Sequence, residues 1–152
     1  MGAEMALATN VAKYILNLAD VEKGQVISNL ALQKLLYYCQ GYYLAFTENR
    51  EPLFEEDILA WRWGPAVSNV YHEYKHYGSG SLPNNELTDD IMATLSEDQK
   101  RVIEAVNDVY KGFSAIALME KTHMENPWRE TEQSEVITRD KIYAFFKGRI
   151  IE

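Results

Sequence analysis

Residues 72–76 read His-Glu-Tyr-Lys-His. Two imidazoles four apart on a helix can share a zinc ion, and a glutamate after the first can act on the metal's water. The chemistry would be metal-assisted hydrolysis. It needs a third ligand, a half-buried helix and surroundings that favour a cation. Here the two intervening residues are Tyr74 and Lys75, so an ammonium lies beside the would-be metal. The only other histidine is His123, and no glutamate stands in a recognisable third-ligand context. The apolar stripe of the segment, Val70, Tyr74 and Tyr77, points away from both imidazoles. His72, Glu73 and His76 therefore read as a solvated helix face, and a zinc hydrolase is kept only as a remote alternative.

Other chemistry is weaker still. Cys39 falls in the apolar stripe of a strongly hydrophobic helix, the place of a small core residue rather than a nucleophile. There is no Gly-x-Ser-x-Gly, no glycine-rich phosphate loop and no Cys-x-x-Cys pair. Glu55-Glu56-Asp57 reads as a solvated acidic run. No catalytic residue, metal ligand or cofactor is expected.

Composition narrows the partners. Of 152 residues, 23 are Asp or Glu and 15 are Lys or Arg, a formal net charge of −8. Such a chain repels phosphate backbones, and no Lys/Arg cluster offsets this, so nucleic acid is not expected. A basic or hydrophobic protein partner suits the balance better. Ten tyrosines and three tryptophans can serve a core and an interface alike. One cysteine allows no internal disulfide and points to a reducing cytoplasm. Met1-Gly2-Ala3-Glu4 lacks a basic, then apolar, secretory start, and Ala6 stands where a myristoylation signal wants Ser or Thr. No apolar stretch is long enough to cross a bilayer.

The elements that must position these residues are mainly helical. A first helix is expected after Thr9 or Asn10, with Leu7, Val11, Tyr14, Ile15 and Leu18 on one face. A second runs from Ser28-Asn29 to about Thr47. Its stripe, Leu32, Leu35, Leu36, Cys39, Tyr43 and Phe46, is joined by Leu30, Tyr37, Tyr38, Tyr42 and Leu44, so it is apolar on most sides and belongs at the centre. Gly41 inside it marks close approach of another segment. Residues 54–63 alternate in part and read as a short extended or β segment, with Trp61 and Trp63 on one face. Gly64-Pro65 is a turn signal. Ser68 caps a third helix that Gly78 ends.

Residues 78–95 read as a surface loop with a helical turn near Asp90–Leu95. Ser96 and Gln99 make a capping box for a helix carrying Val102, Ile103, Val106 and Tyr110. Ser114 opens another, with Ile116, Leu118 and Met119, limited by Pro127. Thr138 caps a last one with Ile142, Phe145 and Phe146. The expectation is one mainly α domain over residues 1–152 (core 8–148). It has about five to six helices around a buried central helix.

Three blocks carry a resemblance. They are LQKLLYYCQGYYLAF (32–46), PLFEEDILAWRWGPAVSNVYHEYKHYG (52–78) and THMENPW (122–128). With them the chain resembles the Panacea, or SocA-like, antitoxin domain family. The most specific feature is an Ala-Trp-x-x-Gly-Pro turn followed by Val-Tyr-x-x-Tyr-Lys-x-Tyr-Gly. Lys75 belongs to that pattern whereas the positions of His72 and His76 are not characteristic of it, so the His-Glu-x-x-His spacing looks coincidental.

The resemblance implies a non-enzymatic antitoxin of a two-gene, type II-like module, often on prophages or plasmids. It would neutralise a cognate protein toxin, encoded next door, by direct binding. The alternative is an adaptor that delivers a toxin or other client to a cytoplasmic protease. No separate DNA-binding domain is expected before residue 30. A homodimer is permitted and a membrane is not expected. Candidate partner-binding residues are Trp61, Arg62, Trp63, Tyr71, Lys75 and Trp128. The resemblance further marks Lys34, Tyr37, Tyr38, Gln40, Gly64, Pro65, Tyr74, Tyr77, Gly78, His123 and Pro127 as motif or structural positions. Of these, Gln40 suits a buried hydrogen bond, Gly64-Pro65 a tight turn and His123 a bond across to another segment.

Overall fold

A helix apolar on nearly every side forces the rest of the chain to wrap it. That helix is α2, Asn29–Phe46, and 14 of its 18 residues are buried. The structure, a computed structural model, describes residues 7–149. The N-terminal residues weighed above for leader and lipidation signals lie outside it. Around α2 pack α1 (Ala8–Asn17), α5 (Glu97–Tyr110), α6 (Ala115–His123) and α8 (Arg139–Phe146). Shorter helices α3 (Ser68–Tyr74), α4 (Asp89–Ala93) and α7 (Asn126–Arg129) fill the rim. Eight α-helices are thus described, more than the five or six expected, because two of the rim helices are only four and five residues long. The result is one mainly α domain around a buried central helix.

A three-stranded antiparallel sheet, ordered β2-β1-β3, closes one side. β1 is Ile58–Trp61, β2 Gly64–Ala66 and β3 Val136–Ile137. Pro65 is tolerated because β2 is an edge strand, where a missing N–H costs no ladder bond. The Gly64-Pro65 pair therefore forms a strand rather than the turn itself. Trp61 pairs with Gly64, and the two-residue loop is Arg62-Trp63.

Local signals place most helix starts. Ser28, Ser114 and Thr138 each accept a backbone N–H three residues on. Ser96 and Gln99 form the full capping box. Two starts differ. α1 begins at Ala8, not after Thr9 or Asn10, because the Glu56 carboxylate accepts from the Ala8 N–H at 2.9 Å. α3 starts with Ser68 already inside the helix, and Val67 in the capping position has its N–H held by Gln33. Gly41 does mark a close approach: a Cβ there would lie 2.2 Å from the Phe146 ring. Of the residues expected in apolar stripes, Leu7, Phe46, Tyr77 and Ile116 are exposed.

Candidate partner-binding site

The β1–β2 hairpin carries two tryptophans outside the buried core, Trp61 and Trp63. Gly64 has φ +112°, open to glycine alone, and a Cβ there would meet Lys34 Cε at 2.8 Å and Thr122 Oγ1 at 2.9 Å. The strand can lie on α2 only because that side chain is missing. At the tip, Trp63 remains 55% exposed, and the Arg62 guanidinium lies 5.1 Å from its ring centroid. Trp61 is half-buried and sits edge-on to Tyr71, with ring centroids 5.1 Å apart. Trp128 donates its indole N–H to the Trp61 carbonyl at 2.8 Å and stacks on His123 at 4.0 Å. The next residue, Met124, is 77% exposed.

Below this tip lies a buried polar layer. Lys34 is only 1% exposed, and its ammonium makes one long bond, 3.4 Å, to the Pro65 carbonyl. No carboxylate pairs with it among the described residues. Burial pulls its amine down to about 7. His123 is also pushed down, first by burial and further by nearby Lys34, while the Arg62 backbone pulls it up. Its Nε2 is buried without a hydrogen-bond partner.

A second layer ties α2 to the loop before α7. Tyr37 and Tyr38 donate their hydroxyls to the two carboxylate oxygens of Glu125, each at 3.0 Å. Burial raises both phenols. Glu125 is raised as well by burial, against the two hydroxyls and Lys121, 3.7 Å away, which lower it.

A third set of bonds runs along the N-terminal half of α2. Val67 N–H donates to Gln33, Gln33 donates to Asn29, and Asn29 donates to the Tyr71 carbonyl. The hairpin is thus held by α2, by the segment around Glu125 and by α3. Its tip is a pair of exposed side chains on a rigid mount.

Trp61, Arg62, Trp63, Tyr71 and Trp128 come together in this one region. Lys75 is exposed on a separate 3₁₀ turn, Lys75–Tyr77, and among the described residues no hydrogen bond or ion pair ties it to the hairpin. Tyr74 is buried and donates to Glu86 at 2.6 Å, which fixes the loop after Gly78. Gln40 makes the buried bond expected of it, accepting from Leu53 N–H and donating to the Phe54 carbonyl. Pro127 is buried in the first turn of α7, so it opens that helix rather than ending α6. His123 stacks on Trp128 and lies against the Arg62 backbone, while its Nε2 has no hydrogen-bond partner.

The His-Glu-x-x-His residues do not share a helix. α3 ends at Tyr74, and His76 lies in the 3₁₀ turn with its ring 4.3 Å from Tyr77. His72 faces Trp61 and Tyr71, and Glu73 pairs with Lys13 at 3.5 Å. Among the described residues no three His, Cys, Asp or Glu side chains group closely enough to hold a metal. Cys39 is buried, which pushes its thiol up and away from the reactive thiolate.

Sequence reading missed Glu125, Gln33, Asn29, Thr122 and Met124. A signal existed for two of them: Asn29 and Gln33 are polar residues four apart at the start of an otherwise apolar helix, which requires buried partners. Glu125 carried no such local mark.

Comparison with known proteins adds two findings. The family model described as antitoxin SocA-like, Panacea domain, matches residues 32–129. The chain is 32% identical over 111 residues to the protein named Antitoxin SocA of Caulobacter vibrioides (strain NA1000 / CB15N), covering 67% of this chain and 58% of that one. The chain thus spans little more than half the length of that relative. No solved structure matches.

Proposed function

The chain belongs to the SocA-like, Panacea-domain antitoxin family, and from that premise we propose that it is a non-enzymatic antitoxin neutralising a protein toxin by direct contact. One observation carries the reading: the Arg62-Trp63 tip of the hairpin is exposed while the strands behind it are tied down by hydrogen bonds from Trp128 and to Gln33. An exposed tryptophan and arginine on a rigid base are the residues that most often dominate the energy of protein–protein contacts. Trp61, Tyr71 and Trp128 form the frame of this surface, and Met124 adds a flexible apolar contact beside it. The net charge of −8 suits a basic toxin surface and would speed encounter. No helix among the described residues is long and apolar enough to cross a membrane.

A growth assay tests this. The reading frame adjacent to the gene is induced alone and together with this chain in a permissive bacterium. Arrest alone with growth restored by co-expression is expected. Arrest that the chain fails to relieve would refute an antitoxin role. Toxin half-life in the rescued cells separates the modes: it is unchanged under neutralisation by contact and shortened if the chain delivers its client to a protease.

A further inference from the structure

The far end of α2 carries a second surface that the hairpin does not explain. Between the C-terminal ends of α2 and α8 and the N-terminal half of α5 lies an open groove of about 720 Å³. Its floor is apolar: Tyr42, Ala45, Phe46, Val102, Ala105 and Tyr143. Phe46 stands 53% exposed there although it continues the buried stripe of α2. The groove is of the size that takes a compact apolar ligand or one face of a short helix.

Its rim has a charge unlike the rest of the molecule. Glu48 and Asp98 border the groove, but Glu48 pairs with Arg50 at 3.7 Å and Asp98 with Arg101 at 3.9 Å. Lys147 and Arg149, also on the rim, have no ion-pair partner among the described residues. Arg149 instead lies 3.9 Å from the Phe145 ring centroid and donates to the Phe145 carbonyl. Two exposed cations that form no ion pair among the described residues thus flank an exposed apolar floor on a chain of net charge −8. Such a rim is complementary to carboxylates.

We propose that this groove is a second docking surface, one that receives an amphipathic helix of the toxin whose apolar face ends in acidic residues beside Lys147 and Arg149. The inference rests on the antitoxin reading and adds to it. Lys34, under the hairpin, and Phe46, in the groove, are twelve residues apart on α2, or about 18 Å along its axis. One toxin therefore meets two separated surfaces, one aromatic and one apolar with a basic rim. Contact at both explains how a chain with a small exposed tip could hold a partner tightly.

The test uses the product of the neighbouring reading frame, purified in complex with this chain and measured by surface-immobilised kinetics. Lys147→Glu with Arg149→Glu reverses two exposed side chains, and its circular dichroism and melting temperature are compared with wild type because Arg149 also contacts Phe145. The double reversal is expected to weaken binding at least tenfold, chiefly through slower association, with the deficit shrinking at high salt. Ala45→Trp fills the groove and is expected to weaken binding similarly through faster dissociation, in a protein whose circular dichroism matches wild type.

Wild-type rescue with unchanged affinity in the double reversal would overturn this inference and leave the antitoxin reading standing. Failure of the wild-type chain to bind would overturn both. Normal binding by the filled variant, with a lower melting temperature when residues 150–152 are removed, would make the chain's own end the occupant and overturn it too.

Discussion

Lys34 buries an ammonium with one weak acceptor, and that sets a pH dependence of known sign. Its amine sits at about 7 in the fold against 10.5 in a free chain. Below pH 7 both states hold the proton and the fold bears the full cost of burying the charge. From pH 7 upward the unfolded chain holds a proton that the folded one has released, so stability rises with pH. Above pH 9, Cys39 and the buried tyrosines act in the opposite sense, because burial keeps them protonated. The rise is therefore best seen between pH 6 and 8.5. There it should amount to roughly 1–2 kcal/mol. Urea titrations of wild type and Lys34→Met should show a smaller rise in the variant, which should also be the more stable of the two at pH 6. Equal slopes would mean that Lys34 is solvated or paired.

Glu125 poses the reverse case. Its two oxygens each satisfy a buried tyrosine hydroxyl, so Glu125→Ala leaves two donors unpaired. The expected loss is roughly 2–4 kcal/mol by denaturant unfolding. Tyr38→Phe should cost less, about 1 kcal/mol, since Glu125 keeps Tyr37 on one oxygen and Lys121 3.7 Å from the other.

At the scale of elements, two glycines fix how segments meet α2. Gly41→Ala would drive a Cβ into the Phe146 ring. It should destabilise by about 1–3 kcal/mol, and a second change, Phe146→Leu, should cost less in that background than in wild type. A double-mutant cycle by thermal unfolding reads this directly. The same elements show what the sequence could disclose. The starts of α2, α5, α6 and α8 were legible because a capping Ser or Thr acts on residues three positions away. The start of α1 was not, since its cap is Glu56, forty-eight residues distant. β3 was invisible for a related reason: two residues become a strand only by pairing with β1. The spacing of Phe46 places it on the buried stripe, yet the end of α2 extends past what its neighbours cover and leaves it exposed. Periodicity says which residues share a face and not whether that face is covered.

For the whole molecule, the aromatic cluster around the hairpin was legible as a set, through the Trp-x-Trp-Gly-Pro and Asn-Pro-Trp stretches. Which member is exposed was not, because exposure of Trp63 rather than Trp61 depends on the register Trp61↔Gly64. That register divides the residues by role. Trp61 and Trp128 support the hairpin, so changing them should lower stability and binding together. Trp63 and Arg62 stand outside the fold, so changing them should affect binding alone.

The direct measurement is isothermal titration of purified toxin with wild-type chain and with Trp63→Ala, each variant's melting temperature being recorded alongside. Wild type should form a stoichiometric complex, and Trp63→Ala should bind about thirtyfold or more weakly, a loss of about 2 kcal/mol, at an essentially unchanged melting temperature. Equal affinity of the two proteins would contradict the account, because the one exposed tryptophan on the rigid hairpin would then have no part in holding the toxin.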